Sequence, residues 1–464
     1  MARLKTLSDS TWQGRRDFMR QVITGLGVWN LSDLFRLRDL AASESSHQDT
    51  SLILLWQDGG PSHFETFDPK PDAPTEIRGP YKPISTCLPG IQFCENMPKL
   101  AQMADRFSII RSLHQASSAH VSASHTVITG YDRTGVIKGP PDYPDLGAVI
   151  HKMRRTFEKR LPEYVALGSD DRLGVTRGGT AHLGPAYAPF GVLGDPSDPK
   201  FKVKHLYPID GITSERFKQR VQLVDEFDTF RRRVNSSAQM EAMNEFQQQA
   251  IGLITGGAAA KAFDLEDEDP VLRDRYGRCL AGQQALMSRR LVEAGVSIVA
   301  ARFVPLGTGD EMVRKHNNWD DHAVNVDIFR VCKQRDPQMD QAVSALIEDL
   351  ENRGLNKKVL VVLLGEFGRT PRITYRNGRP GRDHWGPAGN ALVYGGGFNM
   401  GQVIGSTNVR GEHPVERPLK PQDLLATIYY HLGIDPSHEL EDPLGRPVRI
   451  MPYGDPIREL VGTV

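Results

Sequence analysis

The chain has 464 residues, with 57 Lys+Arg against 57 Asp+Glu, 39% hydrophobic and 25% charged. That length buries a large core in one to three domains, and the even charge excludes the long-range field that draws nucleic acid or an acidic membrane. Cys87, Cys94, Cys279 and Cys332 show no CxxC spacing, which argues against a thiolate zinc site. In an exported chain Cys87 and Cys94 can form a local disulfide; free thiols are the other reading.

Residues 1–48 read as a signal and linker. Gly14-Arg15-Arg16-Asp17-Phe18-Met19-Arg20 resembles a twin-arginine export signal, with an apolar stretch from Val22 to Leu31 and small residues Ala41-Ala42-Ser43 for cleavage. Asp33, Arg36 and Arg38 interrupt the apolar stretch early, and a short amphipathic helix is the alternative. Such a signal is read by the twin-arginine export machinery and implies a periplasmic or extracellular protein. No later run approaches the roughly 18 apolar residues of a transmembrane helix.

Ser51–Trp56 is a continuous apolar run, the pattern of a strand buried on both faces, and it ends in the sharp loop Gln57-Asp58-Gly59-Gly60-Pro61. A helix is expected over 97–104, a strand over 107–111 and a helix over 119–126. Another short strand is expected at 164–167, before a loop-rich stretch to about 210. Residues 210–265 have a charged, Gln-rich helical pattern and read as an inserted cap; Arg231-Arg232-Arg233 within it read as a solvated face. A helix over 271–294 leads to a strand at 296–301, then to a loop holding His316, Asn318, Trp319, Asp320, Asp321 and His322. A helix over 339–353, strands at 359–364 and 390–394, and a closing helix over 424–432 complete the pattern. Strands alternating with helices predict a doubly wound, mostly parallel α/β sheet flanked by helices.

Three predicted strand ends carry polar clusters: Asp58; then Asp320 with His322; then Glu366 with Asp383 and His384. Carboxylate and imidazole donors at the carboxyl ends of parallel strands suit a divalent metal. Singly, each residue reads equally as a turn cap or salt-bridge partner, Glu366 to Arg369 or Arg382 for example. The run Gly395-Gly396-Gly397 lacks the Lys-Ser/Thr of a phosphate-binding loop, and Ser62-His63 lacks the setting of a nucleophile elbow.

The chain resembles the alkaline phosphatase and sulfatase superfamily, and within it an exported, sulfatase-like family of unknown function. The resemblance rests on Trp56 to Lys70, Arg290 to Val296, Asn318-Trp319-Asp320-Asp321-His322, Leu363 to Pro371, and Gly381-Arg382-Asp383-His384-Trp385. It implies an alkaline phosphatase-like domain over 49–464 and a metal centre made by Asp58, Asp320, His322, Glu366 and His384, with Asp383 as a ligand or as the group that orients His384. Zinc is the first expectation; manganese, calcium and magnesium are the alternatives. It further implies a phosphate or sulfate ester, small molecule or glycan, as substrate, and Arg369 as the residue that meets its anionic oxygen; a salt bridge is the plainer role for Arg369. Phe367 stands where a ligand histidine is usual. His120 stands where the nucleophile is usual, leaving it open as nucleophile, general base, metal ligand or helix cap. Ser117, Ser118 and Ser122 are nearby hydroxyls, and no Cys-x-Pro-x-Arg sequence is present. A non-catalytic binding protein that keeps the fold is the alternative function, and a metal-dependent isomerase or mutase a further one.

Overall fold

The apolar run Ser51–Trp56 forms strand β1, buried at every position. In the computed structural model the described residues are 49–133, 142–155, 161–168, 179–203, 261–305, 311–442 and 444–462. The export-signal residues, the Arg231-Arg232-Arg233 run and nearly all of the expected cap at 210–265 lie outside them. After β1 come helix α1 (Pro98–Gln102), strand β2 (Ser108–Leu113), helices α2 (His120–Thr129) and α3 (Leu146–Arg154), and strands β3 (Tyr164–Gly168) and β4 (Phe190–Leu193). Helices α4 (Pro270–Tyr276) and α5 (Leu280–Glu293), strand β5 (Ile298–Arg302), helix α6 (Ile328–Asn352) and strand β6 (Val359–Leu364) follow. The chain then forms β7 (Gly368–Arg369), β8 (His384–Trp385), β9 (Gly389–Gly395), β10 (Gln402–Ile404) and α7 (Pro421–His431).

Among the described residues, eight strands make one sheet in the order β10-β2-β9-β6-β1-β5-β3-β4. All neighbours are parallel except β9, which runs antiparallel to both β2 and β6. The fold is therefore an α/β sheet, mostly parallel, flanked by helices. Alternation along each strand divides the core in two, because successive side chains point to opposite faces. Ile53, Leu55, Val361 and Leu363 pack with residues of α1, α5 and α6. Leu52, Leu54, Val362 and Leu364 pack on the other face with α2, α3 and α7.

Two helices depart from the sequence expectation. The stretch 271–294 is two helices, broken at Gly277, whose φ of +95° is left-handed and whose carbonyl accepts from the Gln283 side chain at 2.9 Å. Helix α6 begins at Ile328, well before 339, because the Asp327 carboxylate caps it by accepting from Arg330 N–H at 3.1 Å. It runs through Pro337, where it lacks one backbone donor. Cys87 and Cys94 form no disulfide: Cys94 lies opposite Pro83 in a small hairpin, while Cys87 is exposed beyond its strand. Among the described residues no helix is long and apolar enough to cross a membrane.

Candidate metal centre

The carboxyl ends of three adjacent strands, β6, β1 and β5, bring the polar clusters together. Gly59 follows β1, and its N–H donates to both Glu366 oxygens at 3.1 Å, which ties the end of β1 to the end of β6. The Asp58 carbonyl accepts from Trp319 N–H at 2.7 Å, which ties β1 to the loop after β5. Gly59 has a φ of +114°, and a Cβ there would lie 2.5 Å from Asp320 N, so only glycine fits. Gly381 allows the same approach from the other side; a Cβ there would lie 2.0 Å from Ala323 N.

Around Asp320 Oδ1 stand three imidazole Nε2 atoms: His384 at 3.0 Å, His322 at 3.1 Å and His120 at 3.5 Å. His322 Nε2 and His384 Nε2 are themselves 2.7 Å apart. Ligand atoms of His120, Asp320 and His384 all lie within 4.8 Å of one another.

The far side of each ring fixes its tautomer. His120 Nδ1 lies 2.6 Å from Glu366 Oε1, His322 Nδ1 lies 2.8 Å from Asp383 Oδ1, and His384 Nδ1 lies 3.0 Å from the Ser118 carbonyl. A carboxylate and a carbonyl only accept, so each Nδ1 carries a proton, and each ring when neutral turns an Nε2 lone pair inward. With the rings neutral, three lone pairs and one carboxylate oxygen face each other, and the one donor beside them is Arg369, whose Nη2 is 2.9 Å from Asp320 Oδ1. Such a group of electron pairs repels itself unless a cation lies between. His120, Asp320 and His384, each imidazole backed by an acceptor, form a donor set suited to zinc, and His322 stands beside it on Asp320 and His384. Without a cation, protons must serve instead. Burial depresses His120, but its bonds to Asp320 and Glu366 outweigh that and push it up to about 9. Burial also opposes ionisation of Asp320, yet the three histidines and Arg369 hold it well below the usual carboxylate range. At His384 burial wins and lowers the imidazole.

The remaining residues singled out in the sequence stand around this core. Glu366 is 1% exposed, with its oxygens on Gly59 and His120. Asp383 orients His322, not His384. Asp58 is set apart: Oδ2 accepts from Arg302 Nε at 3.1 Å, while Oδ1 is buried without a hydrogen-bond partner. Arg369 is fully buried, and its three nitrogens donate to the carbonyls of Gly59, Gly60, Trp319 and Arg382 and to Asp320. Its guanidinium braces Asp320 and the surrounding turns. The Ser117 hydroxyl accepts from Ala119 N–H and that of Ser118 from Gly386 N–H, so both brace the turn before α2.

A second buried network holds the ligand-bearing turn. Arg335, from α6, makes a two-point bond to Asp321 at 3.0 and 2.8 Å and donates to the Asn318 carbonyl. His316 Nε2 lies 2.9 Å from Asp321, and the Arg335 guanidinium sits 3.8 Å over the Trp319 ring. The alternating residues of 318–322 therefore divide: Asp320 and His322 face the candidate metal centre, while Trp319 and Asp321 anchor in the core. Arg302 and Arg335 were not singled out in the sequence. The only signal at Arg302 is a charge ending an otherwise apolar strand, and Arg335 is one charge among many on a long helix.

The sequence profile of the family described as "Protein of unknown function (DUF1501)" matches residues 49–461, and the chain belongs to that family. No curated protein matches the chain. Among solved structures, the chain is similar to the PsFucS1 sulfatase from Pseudoalteromonas sp., at 12% identity over 86% of this chain and 70% of that one, with a TM-score of 0.34. It is similar to the phosphonate monoester hydrolase SpPMH from Silicibacter pomeroyi, at 14% identity over 73% and 69%, with a TM-score of 0.33. It is similar as well to the C-terminal periplasmic domain of EcEptC from Escherichia coli, in complex with Zn, at 11% identity over 87% and 94%, with a TM-score of 0.35.

Proposed function

We propose that this DUF1501 protein is an exported, metal-dependent hydrolase of phosphate or sulfate esters, of the alkaline phosphatase and sulfatase type. One observation carries the reading: three Nε2 lone pairs, each fixed by an acceptor behind its ring, converge on one carboxylate oxygen. His120, Asp320, His322 and His384 would hold the cation, zinc first by the chemistry of the donors. A divalent cation there supplies a Lewis acid for an ester oxygen. Glu366 and Asp383 keep His120 and His322 in the ligating tautomer, and the Ser118 carbonyl does so for His384. Arg369 positions Asp320. With His120 at the start of α2 in place of a hydroxyl residue, the attacking group is solvent, and His120 is a ligand instead of a nucleophile. The twin-arginine resemblance supports a place in the periplasm or outside the cell.

The test is metal analysis of the purified chain followed by turnover of an aryl phosphate and an aryl sulfate. The proposal expects stoichiometric metal and metal-dependent turnover of one ester, both lost in Asp320→Ala. Stoichiometric metal with turnover of neither ester would support a second reading, a metal-binding protein without catalysis. His120 at the start of α2, in place of a hydroxyl residue, is the observation that favours it.

A further inference from the structure

The ribbon formed by β7 and β8 has two faces with different jobs. His384 pairs with Arg369 and Trp385 with Gly368. Side chains alternate along a strand, so His384 and Arg369 share one face, turned to Asp320, and Trp385 lies on the other with Thr370, the residue after β7. On that second face lies a cleft of about 670 Å³, lined by Thr370, Arg372, Trp385, Glu76, Arg410 and His413 among others. That volume falls in the range of about 300–1,000 Å³ typical of small-molecule sites. The metal centre does not use these side chains. At the end of the ribbon Asp383 joins the two sides. Its carboxylate, 53% exposed, orients His322, and its N–H donates to Thr370 Oγ1 at 2.9 Å.

The cleft holds groups that lack partners within the chain. The Arg372 guanidinium, the Glu76 carboxylate and the His413 imidazole have no hydrogen-bond or ion-pair partner among the described residues, and Arg372 and Glu76 are exposed. Among the described residues the Arg410 guanidinium reaches only Glu412, at 4.0 Å, and Glu412 is already held by Asn408 at 2.8 Å. Trp385 is pinned through its indole N–H to the Glu412 carbonyl at 2.6 Å, which fixes an aromatic ring in the wall. A ligand complementary to this set needs three things. It needs an anionic group for Arg372 and Arg410, hydroxyl donors for Glu76, and a ring with an apolar face for Trp385. An aryl acid has nothing for Glu76. A neutral sugar has nothing for the two guanidinium groups.

We propose that this cleft binds an anionic sugar: a hydroxylated ring carrying a carboxylate or equivalent charge. Its role in catalysis rests on the hydrolase reading above, in which the ring is the alcohol part of the ester. Binding itself does not rest on that reading.

The experiment is titration of the full chain with digalacturonate as the acidic probe and galactobiose as the neutral one, followed calorimetrically. Digalacturonate is expected to bind at least about tenfold more tightly than galactobiose. Arg372→Gln, an exposed and therefore tolerant position, should weaken it by about tenfold, and Trp385→Ala by at least as much. Glu76→Gln should weaken both probes. Asp320→Asn, in the metal centre, should leave digalacturonate binding within about twofold of wild type, so a failure of the hydrolase reading leaves this result standing. Absence of binding, equal affinity for the two probes, or digalacturonate binding unchanged in both Arg372→Gln and Trp385→Ala would each overturn the proposal.

Discussion

Replacing Glu366 by Gln tests the tautomer argument with almost no change in shape. Both partners of the Glu366 carboxylate are donors: Gly59 N–H at 3.1 Å and His120 Nδ1 at 2.6 Å. An amide offers one oxygen and one NH2. If the oxygen stays on His120, the NH2 meets the Gly59 N–H, donor against donor, in a fully buried setting. If the amide turns over, His120 Nδ1 must accept, its proton moves to Nε2, and the inward lone pair is lost. Groups that orient a ligating histidine typically contribute about 10–100-fold in metal affinity. The expected loss is therefore about 1.4–2.7 kcal/mol. The assay is zinc titration against a chromophoric chelator, with metal stoichiometry measured in parallel. A thermal melt in excess chelator separates folding from binding; the metal-free variant should lose about 1–3 kcal/mol for the unpaired buried donor. Zinc affinity equal to wild type within about twofold would refute the role assigned to Glu366 and weaken the ligand assignment of His120.

Three further perturbations follow from the packing. Arg335→Met leaves the Asp321 carboxylate buried without its two-point partner, which should cost about 3–5 kcal/mol in a denaturant titration; adding Asp321→Asn should recover part of it, and a single variant as stable as wild type would contradict the clamp. Gly59→Ala forces a Cβ against Asp320 N at a left-handed backbone, so it should destabilise by at least about 1 kcal/mol and lower metal occupancy; normal occupancy in a folded variant would count against the close approach. His63, His151 and His431 are each depressed by burial to about 4. The unfolded chain takes up protons at these groups near pH 6.5 and the folded chain does not, so their stability is present above pH 6.5 and lost as the pH falls toward 4. Each should forfeit about 2 kcal/mol between pH 6.5 and 5, read as a drop in urea midpoint; equal midpoints at pH 7 and pH 5 would contradict it.

Much of the fold was legible because the central strands are apolar on both faces. Ser51–Trp56 and Val359–Leu364 are continuous runs with the observed boundaries, and each ends where a polar cluster begins. The antiparallel course of β9 was not legible, since a buried strand looks the same in either direction. The break between α4 and α5 turned on one glycine whose backbone angle no pattern reveals. At the site, Asp320, His322, Asp383 and His384 stood out by residue type and position after a strand. Their division of labour did not. Glu366 looked like a ligand, yet its oxygens face Gly59 and His120. Arg369 looked free to meet substrate, yet backbone carbonyls surround it. Asp58 looked central, yet Arg302 holds one of its oxygens. Each distinction depends on which atom of a side chain meets which partner across hundreds of residues, and spacing carries no such information.

The most direct measurement is anomalous diffraction at the zinc edge from crystals of the zinc-loaded chain. One strong peak is expected at about 2.0–2.2 Å from Nε2 of His120, His322 and His384 and from a carboxylate oxygen of Asp320, with Nδ1 of each ring still on Glu366, Asp383 and the Ser118 carbonyl. A chain that takes up no zinc, or a peak on Asp58 and Glu366 with the three histidines outside its coordination, would contradict it.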